Sequence, residues 1–202
     1  MAEDIGLFEA IYSQRAIRHI KPDPVPDELI EKVIDAGIRA PNGGNSQAWG
    51  FVVIKDKALM RKMAPLYAGT ARPNHGQATT ASEKRAAESA DYLAAHVADV
   101  PVWVLAVTNH PGTDIHNGAS IYPAVQNMLL AARALGLASV LTTRVRRNFE
   151  PQVREWIGLP DGWVTAAMIP LGWPMEGYEY GPTTRKPASL VTHWEKWGNH
   201  RG

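Results

Sequence analysis

Apolar side chains recur along this chain with two different periods, and the changes between them mark its elements. Ile5, Phe8, Ile11 and Tyr12 fall at helical spacing within residues 4–14 and predict a first, amphipathic helix. Three prolines punctuate Lys21 to Pro26, and Pro26-Asp27-Glu28 makes a good opening turn for a second helix. Leu29, Ile30, Val33, Ile34, Gly37 and Ile38 then line one face, and Pro41 ends it. The short apolar run Trp49 to Ile54 predicts a buried strand, and residues 57–67 and 82–98 predict two further helices. Between those helices Gly69 to Thr80, polar and glycine-containing, reads as a mobile loop. Val102 to Thr108 predicts a second strand, Ser139 to Thr142 a third and Trp163 to Leu171 a fourth, with a short helix over Pro151 to Ile157. The segment Ile121 to Leu137 has only Gln126, Asn127 and Arg133 as strongly polar side chains. A helix apolar nearly all round is buried, here in a core or a subunit contact. After Pro174 the chain is rich in Gly, Pro and Thr as far as Pro187 and closes with Trp194 and Trp197. With no internal repeat and no low-complexity stretch, one α+β domain over 1–202 with an extended C-terminal arm is the simplest account.

Composition narrows the chemistry. At 202 residues the chain can bury about 70% of its unfolded surface, from ~32,000 down to ~9,300 Å², without staples. Lys+Arg is 21 against Asp+Glu 20, a net charge of +1 that gives no electrostatic reason to expect nucleic acid or an acidic membrane as partner. Cysteine is absent, which removes thiolate nucleophiles, disulfide scaffolds, iron–sulfur clusters and cysteine zinc sites together. Redox chemistry, if present, sits on a bound cofactor. Met1 to Gly6 carry Glu3 and Asp4 rather than a basic and apolar signal, and no apolar run approaches a membrane span, so a cytoplasmic location is expected.

The most informative loop is Pro41-Asn42-Gly43-Gly44-Asn45-Ser46-Gln47, which joins a helix to a strand with two glycines and three side-chain amides. Amides both donate and accept, as the mixed polar edge of an isoalloxazine ring requires; a plain polar turn is the alternative. Arg15 and Arg18, three residues apart after the first helix, offer forks that suit phosphate, or else close the helix as solvated cations. Arg185 and Lys186 pose the same choice in the arm. Arg144, Arg146 and Arg147 lack the aromatic interleaving of a nucleic-acid surface. His110, Asp114 and His116 could be metal ligands, but without a helical His pair they read as a polar surface loop. Trp49, Trp103 and Trp163 fall in strands and are expected in the core, Trp194 and Trp197 against a neighbour. No G-x-G-x-x-G follows a strand, and there is no Walker loop and no nucleophile elbow. A nicotinamide donor would have to enter the flavin cavity and leave again.

Taken in order, Arg15-Ala-Ile-Arg18, Pro22-Asp-Pro-Val-Pro26, Ala40-Pro-Asn-Gly-Gly-Asn45-Ser-Gln47-Ala-Trp49, Gly118 to Leu137, Leu141-Thr142-Thr143 and Gly181-Pro-Thr-Thr-Arg185-Lys186-Pro resemble the nitroreductase family. The resemblance covers nearly the whole chain except residues 56–100, the family's variable lid. It implies an α+β, three-layer α/β/α sandwich with a mixed central sheet, dimerised through the long helix. The arm, residues 175–202, would be swapped onto the partner subunit. It also implies an FMN-dependent oxidoreductase with NAD(P)H as co-substrate. Nitroaromatic, quinone or related acceptors would be reduced by ping-pong hydride transfer. By motif, Arg15, Arg18 and Arg185 would contact the phosphate and the N1/O2 side of FMN. Pro41, Asn42, Gly43, Asn45 and Gln47 would reach in from the other subunit, and Thr142 and Thr143 would approach the ring. No side-chain acid is required, because the flavin carries the chemistry. A specialised branch, reductive dehalogenase-like or flavin-fragmenting, and a non-catalytic flavin sensor or carrier are the alternatives. Many members read Arg-Arg-Ser-x-Arg where this chain has Gln14-Arg15-Ala16-Ile17-Arg18, so one arginine and one hydroxyl of the pattern are absent.

Overall fold

In the computed structural model, residues 5–69, 79–109 and 115–201 are described. Among these residues seven α-helices and four strands follow one another as α1 (Leu7–Ser13), α2 (Asp27–Gly37), β1 (Trp49–Ile54), α3 (Lys57–Ala68), α4 (Ala81–His96), β2 (Val102–Thr108), α5 (Ile115–Ala134), β3 (Ala138–Ser139), α6 (Arg144–Asn148), α7 (Glu150–Ile157) and β4 (Val164–Gly172). The sheet order is β1-β2-β4-β3.

Alternation along the strands divides the core. Val102, Val104 and Ala106 of β2 join Ile169 and Leu171 of β4 on the face covered by α2 and α5. Trp103, Leu105 and Val107 point the other way, into a second cluster with Met60 and Met63 of α3, Leu93 of α4 and Val153 of α7. Helices on both faces of one sheet give the three expected layers. Because β2 is buried on both faces along its whole length, its sequence shows a continuous apolar run rather than alternation.

α2 and α5 approach closely, and glycine permits it. A Cβ on Gly37 would lie 2.7 Å from Met128 Cγ and 3.4 Å from the Ala124 carbonyl. At the same crossing the Asn127 side chain donates to the carbonyl of Ala36 at 3.2 Å, satisfying one of the acceptors freed where α2 ends. The apolar character of α5 is thus explained: Ile121, Ala124, Val125, Met128 and Ala132 are buried.

Four sequence expectations need correction. Every pairing among the described strands is antiparallel, not mixed, since neighbours in the order β1-β2-β4-β3 alternate in direction. β1 is the sheet edge, with Val53 39% exposed, not a buried strand. The third strand shrinks to Ala138–Ser139, with a separate bridge from Thr142 to Met168. Helix α6 was not expected, because its sequence is cationic rather than periodic; it is held by Arg144, whose buried guanidinium donates to the Tyr67 carbonyl at 3.1 Å and lies over the Tyr67 ring. The loop expected over Gly69 to Thr80 falls largely outside the described residues, as do His110 and Asp114 and the side chain of His116.

Candidate functional site

Between α1 and the first proline-rich turn, the chain runs extended past the sheet edge. Ile17 donates its N–H to the Ser139 carbonyl at 3.1 Å, and Ile20 bridges to Pro174. Both isoleucines are buried, while Arg15 is exposed and Arg18 partly exposed. The start of the arm is tied to the same segment. Met175 N–H donates to the His19 carbonyl at 3.0 Å, and Gly181 N–H donates to that of Ser13 at 3.0 Å. Arg133 of α5 stands 4.2 Å from the Tyr180 ring centre and donates to Ser13 Oγ at 2.8 Å. Burial pushes the Tyr180 hydroxyl up to about 12, with Arg133 opposing.

These ties shape a cavity of about 1100 Å³. Arg15, Arg18 and Arg185 line it together, although Arg185 lies far along the sequence. A fourth arginine, Arg85 of α4, joins them, with Ser82 and Ser89 from the same helix. Among the described residues, Glu88 is the one carboxylate in the lining. Leu129, Val140 and Leu141 supply an apolar wall. Neither Arg15, Arg85 nor Arg185 forms an ion pair with a described carboxylate. Four guanidinium groups around one mixed cavity fit a ligand that joins a dianionic phosphate to a flat ring, and FMN is such a ligand.

One end of the cavity is aromatic. The His19 ring is stacked between Tyr92 at 3.8 Å and Tyr178 at 3.6 Å, and His96 stacks on the far side of Tyr92 at 4.4 Å. His19 Nδ1 is buried without a hydrogen-bond partner among the described residues. Burial, then His96, then Arg18 hold its pKa below the ordinary 6.5, so the ring is neutral at pH 7.

Helix α4 is fixed at its start by a capping box. Thr80 Oγ1 accepts from Glu83 N–H at 3.2 Å, while the Glu83 carboxylate accepts from the N–H groups of Thr79 and Thr80, both at 2.9 Å. Those backbone donors hold Glu83 down at about 2. Its carboxylate interactions are therefore intact above the ordinary carboxylate range and are lost as pH falls through about 2. Thr80→Ala removes the cap and costs the first turn about 1 kcal/mol. Amides of residues 81–85 should then exchange several times faster at neutral pH, with the sheet amides unchanged.

The loop at residues 41–47 is elsewhere: none of Pro41, Asn42, Gly43, Asn45 or Gln47 lines the cavity. Its turn is held by Gln47 N–H donating to Asn42 Oδ1 at 2.8 Å and Gly43 N–H donating to Ser120 Oγ at 3.3 Å. Gly44, Asn45 and Gln47 all have positive φ, at 60°, 52° and 49°. For the two non-glycine residues that conformation costs on the order of 1–2 kcal/mol each. The side chains of Asn45 and Gln47 are exposed. Thr142 is near but not in the lining: its backbone pairs with Met168, and its hydroxyl accepts from Tyr67 Oη at 3.3 Å. Thr143 precedes α6 as its cap residue. Sequence reasoning missed Arg85, His19 and Tyr92. Ser82, Arg85, Ser89 and Tyr92 share one helical face, but that spacing does not say what the face lines, and His19 lies on another segment altogether.

Among the described residues no group of three acidic or histidine side chains could hold a metal, and no helix is long and apolar enough to cross a membrane.

Comparison with known proteins gives a consistent result. Residues 11–173 match the model of the Nitroreductase family. An NADH dehydrogenase of Thermus thermophilus is 27% identical over 92% of this chain and 94% of its own. Iodotyrosine deiodinase 1 of Rattus norvegicus is also 27% identical, over 91% of this chain and 67% of its own. A nitroreductase with bound FMN from Bacteroides fragilis superposes with a TM-score of 0.72 at 22% identity, covering 95% of this chain and all (100%) of that one.

Proposed function

The chain belongs to the nitroreductase family, and we propose that it is an FMN-dependent oxidoreductase. It would oxidise NAD(P)H and reduce nitroaromatic, quinone or related small-molecule acceptors as a homodimer. The observation that carries this reading is the meeting of Arg15, Arg18 and Arg185, from opposite ends of the chain, in one cavity. Bound FMN would supply the two-electron chemistry that a cysteine-free chain lacks. Arg15 and Arg185 would hold its phosphate, and the charge of Arg18 would favour negative charge on the ring. The apolar wall of Leu129, Val140 and Leu141 would exclude water from the ring. FMN-bound relatives of the same fold support the cofactor.

A second subunit is supported by what a single chain leaves uncovered. The chain exposes 11813 Å², against ~9,300 Å² for a compact monomer of this size. Leu7, Phe8 and Tyr12 of α1 are each about two-thirds exposed, and Trp197 of the arm is 90% exposed. Phe8 and Tyr12 are in ring contact at 5.9 Å, so α1 presents an apolar patch of the kind that marks an interface.

The test is direct. Purified protein should show a flavin absorption spectrum, and with NAD(P)H and a nitroaromatic acceptor its double-reciprocal plots should be parallel, because both substrates take turns in one cavity. A colourless protein that refuses FMN would refute the cofactor reading, and intersecting lines would refute the alternating mechanism. Reductive dehalogenation is the second reading, favoured by the deiodinase relative being as similar as the dehydrogenase. Halide release from an iodinated phenol would separate the two.

A further inference from the structure

Positions 14 and 16 are neutral in this chain, and both Gln14 and Ala16 line the arginine cavity beside Arg15 and Arg18. The guanidinium and the hydroxyl that these positions do not supply are present on another element. On α4, Ser82, Arg85 and Ser89 stand three and seven residues apart, on one helical face, and all three line the same cavity. The helix is held in place from both ends. The Thr80–Glu83 capping box fixes its first turn, and further along Tyr92 stacks on His19 and donates its hydroxyl to Met175 Sδ at 3.3 Å. Arg85 has no ion pair with a described carboxylate, although Glu88 lies one turn away on the same helix. An exposed guanidinium that lines one cavity with three others is a charge-assisted donor for an anion entering that cavity.

We propose that Arg85, assisted by the Ser82 and Ser89 hydroxyls, is a phosphate ligand of the flavin cofactor, so that α4 takes over the anion contacts absent from positions 14 and 16. The proposal rests on the FMN reading above. It makes α4 part of the cofactor site as well as a wall over it, so that displacement of the helix weakens flavin binding.

The experiment compares FMN with riboflavin, which has the same ring and no phosphate. Binding of each to flavin-stripped full-length protein is followed by fluorescence quenching, so the readout does not depend on turnover. Arg85→Ala should raise the FMN dissociation constant about 10- to 100-fold and leave that of riboflavin unchanged. Arg85→Lys should recover part of the loss, since it restores the charge but not the fork. Inorganic phosphate should compete with FMN in the wild type and lose that competition in Arg85→Ala. Ser82→Ala/Ser89→Ala, which leaves every charge in place, should show a smaller loss for FMN alone. Unchanged FMN affinity in Arg85→Ala would overturn the proposal, and so would an equal loss for FMN and riboflavin. A rise only in the KM of a carboxylated acceptor would overturn it in favour of a substrate contact. Arg18→Ala separates this from failure of the underlying reading. If Arg18→Ala weakens FMN and Arg85→Ala does not, only the α4 contact is wrong; if wild-type protein binds neither flavin, the cofactor reading itself has failed.

Discussion

Co-expressed Arg15→Ala and Asn45→Ala subunits should recover about one quarter of the wild-type flavin sites, although each parent dimer binds FMN poorly. Random assembly makes half of the dimers mixed, and with twofold symmetry one of the two sites in each mixed dimer inherits neither defect. The expectation rests on the separation seen in one chain. Arg15 lines the cavity, whereas the loop carrying Asn45 does not, yet that loop maintains left-handed backbone at Asn45 and Gln47 with both side chains exposed. Unfavourable conformation persists where surrounding structure or a ligand makes use of it. A loop presenting amides away from its own cavity is suited to the cavity of a second copy. Flavin content of mixed dimers, isolated by differential tags and verified by mass, is the measurement, with about half of their own sites filled, which is one quarter of the sites in the whole co-expressed pool. Recovery near zero would mean that each site is built within one chain.

Trp103→Ala should be the most damaging single substitution in the core, costing about 4 kcal/mol or more. Trp103 is 1% exposed in the central strand, and its indole N–H donates to the buried carbonyl of Val97 at 2.9 Å. Alanine there leaves both a large cavity and an orphaned acceptor, against a total stability on the order of 5–15 kcal/mol for a domain. Trp103→Phe separates the two contributions: it keeps most of the volume, loses the donor, and should cost about 1–3 kcal/mol. Urea unfolding at fixed flavin concentration measures both, since ligand binding would otherwise shift the midpoint. Equal costs for the two variants would show that the hydrogen bond, not the volume, dominates.

Elements with a strong period were legible in the sequence, and those governed by tertiary neighbours were not. The face of α2 was readable from Leu29 to Gly37 because its proline-rich entry and Pro41 bound it on both sides, but Ile38, expected on the same face, is 42% exposed just past the helix. The bounds of β1 and β2 were also readable, but not that β1 lies at the edge, since an apolar run carries no information about how many neighbours a strand has. Helix α6 was hidden because Arg144 is buried by a contact to Tyr67, remote in sequence. For the site, the motif residues Arg15, Arg18 and Arg185 could be anticipated and do meet. Arg85 could not, because the segment over 56–100 follows no family pattern and only the three-dimensional course of α4 brings it to the cavity. His19 was passed over for a similar reason: its surroundings are Tyr92 and Tyr178, which come from α4 and the arm.

The strand order has a kinetic consequence. Trp49 pairs with Thr108, and Val102 with Leu171, so every pairing of the three long strands joins segments separated by many tens of residues. Topologies dominated by such pairings fold slowly, because loop closure must precede the contacts that stabilise it. At ribosomal rates of roughly 5–20 residues per second, β2 waits on the order of several seconds for β4 to be synthesised. Throughout that interval Val102-Trp-Val-Leu-Ala-Val-Thr108, uncharged and rich in β-branched residues, has one unpaired edge. Slow synthesis lengthens the wait, so the yield of native protein falls with translation rate at this segment, and lower temperature alone does not shorten it.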